Sequence, residues 1–76
     1  LRYARLATAM LSGADLTGAD LFGTDLRDTD VRGAQLAGSL YLTQMQVEAA
    51  TGDGTTALPK AIRRPSHWLT HGSGQA

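Results

Sequence analysis

An aliphatic residue returns at every fifth position through the first half of this chain: Leu1, Leu6, Leu11, Leu16, Leu21, Leu26, Val31 and Leu36. Small residues stand two ahead of successive members of this register, at Ala4, Ala9, Ala14, Ala19, Thr24, Thr29, Ala34 and Ser39. Aspartate stands one ahead at Asp15, Asp20, Asp25 and Asp30, and glycine two behind at Gly13, Gly18, Gly23, Gly33 and Gly38. A step of five suits neither regular element. On an α-helix it turns each leucine roughly 140° from the last, so no apolar stripe forms. In a strand, an odd step sends successive leucines to opposite faces. What remains is a short extended piece and a bend once per repeat, with every leucine turned to one side and glycine supplying positive φ at the bend. The small residue, two positions from the leucine, faces the same side.

The run Ala14-Asp15-Leu16-Thr17-Gly18, Ala19-Asp20-Leu21-Phe22-Gly23 resembles the pentapeptide-repeat family, whose unit is Ala-(Asp/Asn)-Leu-x-x. The resemblance covers residues 1 to about 41. It implies an all-β solenoid, a right-handed quadrilateral β-helix with four repeats per coil and with the leucine and the small residue inside. Arg5, Met10 and Gln35 depart from the pattern at the aspartate position, and Thr24, Thr29 and Ser39 at the alanine position. Inward threonines need partners, because an unpaired buried hydroxyl costs about 1–3 kcal/mol. Four repeats per coil place Leu1 under Leu21, Leu6 under Leu26, Leu11 under Val31 and Leu16 under Leu36, about two coils in all.

The chain has 76 residues, enough for one domain of marginal core size. Its formal net charge is zero, and neither half carries the excess expected of a nucleic-acid or anionic-membrane binder. There is no cysteine, and no run approaches the roughly 20 apolar residues of a membrane span. Nothing points to a compartment. The first coil opens at Leu1 in mid-repeat, and a bare coil end presents unpaired backbone and stacked leucines. The expectation is therefore that preceding chain or a protein partner covers the Leu1 end, in a homo-oligomer or as a subunit of a larger complex.

Among the outward positions Phe22 is the odd aromatic. Together with Arg27 and Arg32 it makes the candidate interaction surface. The period breaks at Tyr41, which falls in the leucine register above Leu21. Thr43 with Gln46 then forms the signature of a capping box, and Leu42 with Val47 that of a hydrophobic staple. These predict a short helix over about 44–50, ended by Gly52. Two turns are unstable alone, so the helix should lie on the open coil, with Met45 and Ala49 sharing the buried face. Gly52 to Thr56 reads as a loop, and Leu58-Pro59 and Arg64-Pro65 as extended or turning chain. The stretch from Thr43 to Trp68 resembles a C-terminal tail found on many bacterial pentapeptide-repeat proteins. Its expected role is a cap over 42–70, held by Tyr41, Leu42, Thr43, Met45, Val47, Leu58, Ile62 and Trp68. Residues 71–76 are expected to form a flexible tail.

Chemical sites are sparse. On a four-sided coil Asp15, Asp20, Asp25 and Asp30 point four ways, whereas a Ca²⁺ site gathers six to eight oxygens. Their expected role is to accept hydrogen bonds from the turn backbone. His67 and His71 are four apart, but Pro65 and Gly72 argue against a helix that would let them share a metal. The loop at Gly52 lacks the Gly-Lys-Ser/Thr ending of a phosphate loop. Neither a cofactor nor a catalytic group is expected, because a leucine-filled coil leaves no cleft. The function expected is a non-catalytic structural or protein-interaction module, the C-terminal end of a longer repeat protein. The alternative, implied by the family resemblance, is a DNA mimic that regulates a nucleic-acid enzyme such as gyrase.

Overall fold

The computed structural model describes residues 2–68. Leu1, His71 and the tail expected over 71–76 lie outside the described residues. From 2 to 40 the backbone repeats one five-residue cycle of turn and bridge. Each turn is closed by the small residue's N–H donating to the carbonyl of the leucine three before it, as in Ala9 to Leu6 at 2.8 Å and Ala34 to Val31 at 3.0 Å. The third residue of each turn from Tyr3 to Gly33 is left-handed, as at the third place of a type II turn, while Gly38 in the last one is not. Glycine occupies that place at 13, 18, 23 and 33; Tyr3, Thr8 and Asp28 hold it with φ of 61°, 64° and 57°.

Four such turns bring the chain back over itself. Parallel bridges join Arg5 to Asp25, Met10 to Asp30, Asp15 to Gln35 and Asp20 to Leu40, each pair twenty residues apart. Each bridge is a reciprocal pair of hydrogen bonds, such as Leu6 N–H to the Asp25 carbonyl and Asp25 N–H to the Ala4 carbonyl, both 2.9 Å. The turns are stitched together as well: Thr8 donates to the Arg27 carbonyl and Gly13 to that of Arg32, both at 2.9 Å. The backbone is thus hydrogen-bonded along the stacking direction without any long strand.

The enclosed side chains are Leu21, Leu26, Val31, Ala34 and Leu36, none more than 3 % exposed. Leu6, Leu11, Leu16 and Ala19 pack against them and are partly covered. Thr24 and Thr29 are also inside. The Thr29 hydroxyl donates to the Leu6 carbonyl at 2.6 Å, across to the pass below. Among the described residues no buried side-chain nitrogen or oxygen lacks a partner.

Helix α1 spans Gln44–Ala49. The Thr43 hydroxyl accepts from Gln46 N–H, and the Gln46 amide oxygen accepts from Thr43 N–H at 2.8 Å. The helix turns Val47 inward, and Ala50 is buried just beyond it. Met45 corrects the sequence expectation: it is 82 % exposed, and Ala49 is exposed too. Residues two apart on a helix do not share a face, so seating Val47 sends Met45 outward. Tyr41 is a second correction. It is left-handed, with φ of 64°, and its 61 % exposed ring stands at an outer corner. Leu42, one residue later, joins the core in its place.

The pairing does not stop at residue 40. Thr51 bridges to Asp30 and Ala57 to Gln35, so two sides of a further pass follow the helix. Trp68 then covers this pass, 2 % exposed, with its indole N–H donating to the Ala50 carbonyl at 3.0 Å. A Cβ on Gly52 would sit 2.6 Å from the Trp68 ring, so that position has room for glycine alone. Leu58 and Ile62 fill in beside the core. Among the described residues no helix is long and apolar enough to cross a membrane.

Two substitutions test this packing. Leu26→Asp should abolish cooperative unfolding, because an unpaired charge would enter a closed interior. Thr8→Gly should raise stability by about 1 kcal/mol by relieving a left-handed β-branched residue. Chemical denaturation checks both, and a destabilised Thr8→Gly would show that the turn is not strained there.

Candidate interaction surface

The aspartate ahead of each inward leucine faces outward beside the turn it precedes. Its Oδ1 accepts the backbone N–H two residues on: Asp15 from Thr17 and Asp20 from Phe22 at 3.0 Å, Asp25 from Arg27 and Asp30 from Arg32 at 3.1 Å. Asp53 repeats the device on Thr55 at 2.9 Å. Three of the four repeat carboxylates also hold an arginine. Asp25 takes Arg27, Asp30 takes Arg32 and Asp20 takes Arg2, each at 2.8 Å. These arginines offset the negative charge of the aspartate row where it stands.

Hydrogen bonds to the carboxylate favour its charged form. The Arg27 side chain first, then the Arg27 backbone N–H, pull Asp25 down to about 2, and Arg32 does the same to Asp30. Asp20 is lowered chiefly by the backbone N–H of Phe22, and Asp15 and Asp53 chiefly by the hydroxyls of Thr17 and Thr55.

Phe22, Arg27 and Arg32 do not gather on one face, because four repeats make a circuit and these three sit on successive sides. Arg27 and Arg32 are each engaged with the aspartate of their own turn. Phe22 has other company. Tyr3 and Tyr41, nineteen residues to either side of it, stack with it edge to face at centroid distances of 5.6 and 6.3 Å. Tyr3 N–H donates to the Phe22 carbonyl at 2.8 Å, and the Tyr3 ring lies on Gly23, where a Cβ would come within 2.6 Å. The Arg2 guanidinium spans the row, 4.9 Å from the Phe22 centroid and 5.7 Å from that of Tyr41. Tyr3, Phe22 and Tyr41 are 65 %, 44 % and 61 % exposed. Sequence reasoning singled out Phe22 and missed its two neighbours, although the recurrence of aromatics at nineteen was the available signal.

A cleft of about 290 Å³ lies between α1 and the segment after it, lined by Gln44, Glu48, Arg63, Arg64, Pro65 and Ser66. Its groups serve the fold. The Gln44 amide clasps the Arg63 backbone, donating to its carbonyl at 2.8 Å and accepting its N–H at 2.9 Å. Arg64 turns to the carbonyls of Asp53 and Thr56, both at 2.7 Å. His67 is exposed, and among the described residues no three His, Cys, Asp or Glu side chains converge on a point.

Because Asp25 and Asp30 are depressed in the folded state, their contribution is present above the unfolded value of about 4 and drains as pH falls through about 2. The melting temperature should stay level from about pH 7 to 5 and fall between about 4 and 2. In a D25N/D30N variant the amide oxygen still accepts the turn N–H, so the acid fall should flatten. An equally steep fall in that variant would assign the acid sensitivity elsewhere.

The family model described as pentapeptide repeats matches residues 1–38, in eight copies. A relative in Bacillus subtilis (strain 168), described as the uncharacterized protein YybG, is 57 % identical over 30 residues. That match covers 40 % of this chain and 11 % of the relative, so the chain spans about a tenth of the length of the curated protein it resembles. No solved structure matches. With half its length matched by that model, and with its backbone pairing recurring at four repeats of five, the chain belongs to the pentapeptide-repeat family.

Proposed function

We propose that this chain is a non-catalytic structural and protein-interaction module, the C-terminal end of a longer pentapeptide-repeat protein docked in a larger assembly. The family itself suggests a non-enzymatic repeat protein. In this reading residues 1–41 form about two coils of a right-handed quadrilateral β-helix, and the chain from Leu42 to Trp68 caps one end.

The observation that carries the proposal is the difference between the two ends of the stack. At the far end, side chains donate to backbone carbonyls of the last passes, among them that of Thr24, whose counterparts Ala4, Ala9, Ala14 and Ala19 accept from the pass above. The Gln46 amide donates to the Leu21 and Thr24 carbonyls at 2.7 and 2.9 Å, Arg64 to those of Asp53 and Thr56, and Trp68 to that of Ala50. At the near end Leu6, Leu11 and Leu16 are only partly covered. Half-covered leucines in a row are what a docked neighbour or more chain of the same kind would bury.

Native mass measurement of the protein purified from its source should find it in a particle heavier than one copy, or within a longer chain that covers those leucines. A stable, soluble, lone monomer of these 76 residues would overturn the reading. Gln46→Ala should lower stability by about 1–3 kcal/mol, because it strips the Thr24 carbonyl of its donor and opens the capping box at Thr43. Urea titration checks it, and an unchanged midpoint would remove Gln46 from the cap.

A further inference from the structure

The aromatic row at the outer corner calls for a ligand of its own kind. We infer that Tyr3, Phe22 and Tyr41 form a docking strip for a proline-rich segment of a partner protein in the polyproline II conformation; this deepens, and rests on, the interaction-module reading. Three observations select that occupant. The first is area. Rings of roughly 150–250 Å² each, exposed to 65 %, 44 % and 61 %, offer on the order of 350 Å² in total. A stable contact between folded proteins or copies takes about 800 Å² per partner, so the strip suits a short peptide and is too small for a dimer.

The second is shape. The rings meet at 85° and 89°, so the column is a run of ridges and notches with no broad flat face for a sugar ring to stack on. Centroid spacings of 5.6 and 6.3 Å make the column no longer than about 12 Å. A polyproline II helix rises about 3.1 Å per residue, so the four residues of one Pro-x-x-Pro unit, about 9 Å from first to last, run most of its length. Such a segment has no internal hydrogen bonds, and its carbonyls are open to the two tyrosine hydroxyls, as in other aromatic-lined proline grooves.

The third is charge. Arg2 lies over the Phe22 and Tyr41 rings, Asp20 accepts from the Phe22 N–H, and the two are paired with each other at 2.8 Å. A neutral ligand matches that balance. A phosphorylated or strongly acidic one would have to break the pair.

The probe is an acetylated, amidated decaproline peptide titrated into the protein that carries this chain, followed by NMR or calorimetry, with a Gly-Ser peptide of equal length beside it. Sub-millimolar binding of decaproline and none of the Gly-Ser peptide is expected. Tyr41→Asn and Tyr3→Asn remove a ring where the backbone is left-handed, which asparagine tolerates. Each should weaken binding about tenfold with the melting temperature unchanged, and Tyr41→Phe should retain most of it. No decaproline binding, equal binding of both peptides, or full binding by both asparagine variants would overturn the inference. So would self-association lost in Tyr41→Asn, or preferential binding of cellohexaose. A protein still held in a larger particle yet indifferent to decaproline overturns this inference alone and leaves the module reading standing.

Discussion

A left-handed residue at every fifth position from Tyr3 to Gly33 is the constraint from which the rest of this molecule follows. It reverses the chain within four residues, and the turn it closes hands the next leucine back to the same side. The cost falls on backbone conformation, and glycine meets it cheaply at 13, 18, 23 and 33. Where Tyr3, Thr8 and Asp28 take the same place, neighbours hold them there: each donates its backbone N–H to the adjoining pass, Tyr3 to Phe22, Thr8 to Arg27 and Asp28 to Ala49. Interpass hydrogen bonding and turn geometry therefore support one another, and leucine burial follows from both.

Because the stack is held along its axis by backbone pairing, each end is a chemical problem. One end is answered by side chains of α1 and the segment after it. Gln46 serves twice: its amide oxygen completes the capping box at Thr43 while its nitrogen donates to the Thr24 carbonyl of the pass beneath and to that of Leu21, which already closes its own turn. Gln44 does for Arg63 what a strand neighbour would, with one donated and one accepted bond. The inward threonines apply the same economy to the interior. Thr29 and Thr56 each donate a hydroxyl to a carbonyl of the adjacent pass, those of Leu6 and Val31, so a polar group is buried without loss.

Much of this was legible in the chain. The leucine period dictates a repeating bend, and Thr43 with Gln46 marks a helix start three residues apart. The carboxylate ahead of each leucine is the residue type that accepts a turn N–H. Legibility ended where the period did. Thr51 and Ala57 sit on the ladder with no leucine register to announce them, and the second role of Gln46 depends on which carbonyls the fold leaves open. Met45 looked inward because an apolar pair at i and i+4 fits a buried stripe, yet the six-residue helix seats Val47 instead. The grouping of Tyr3 and Tyr41 with Phe22 escaped notice because it is set by turn stacking at nineteen and not by the repeat of five.

The bridge spacing widens past residue 40, with Asp30 meeting Thr51 and Gln35 meeting Ala57, and this drift has an evolutionary corollary. Below that point the chain behaves like a screw thread, and whole repeats can be gained or lost by duplication. Its closing segment, however, is keyed to particular sides. Gln46 reads the carbonyls of Leu21 and Thr24, 25 and 22 residues before it. A repeat added below Leu21 would carry the closing segment and its carbonyls round together, whereas one inserted between Thr24 and Thr43 would part them. Lineages that lengthen or shorten this rod should therefore do so below Leu21, where even a single repeat leaves the closing contacts in place.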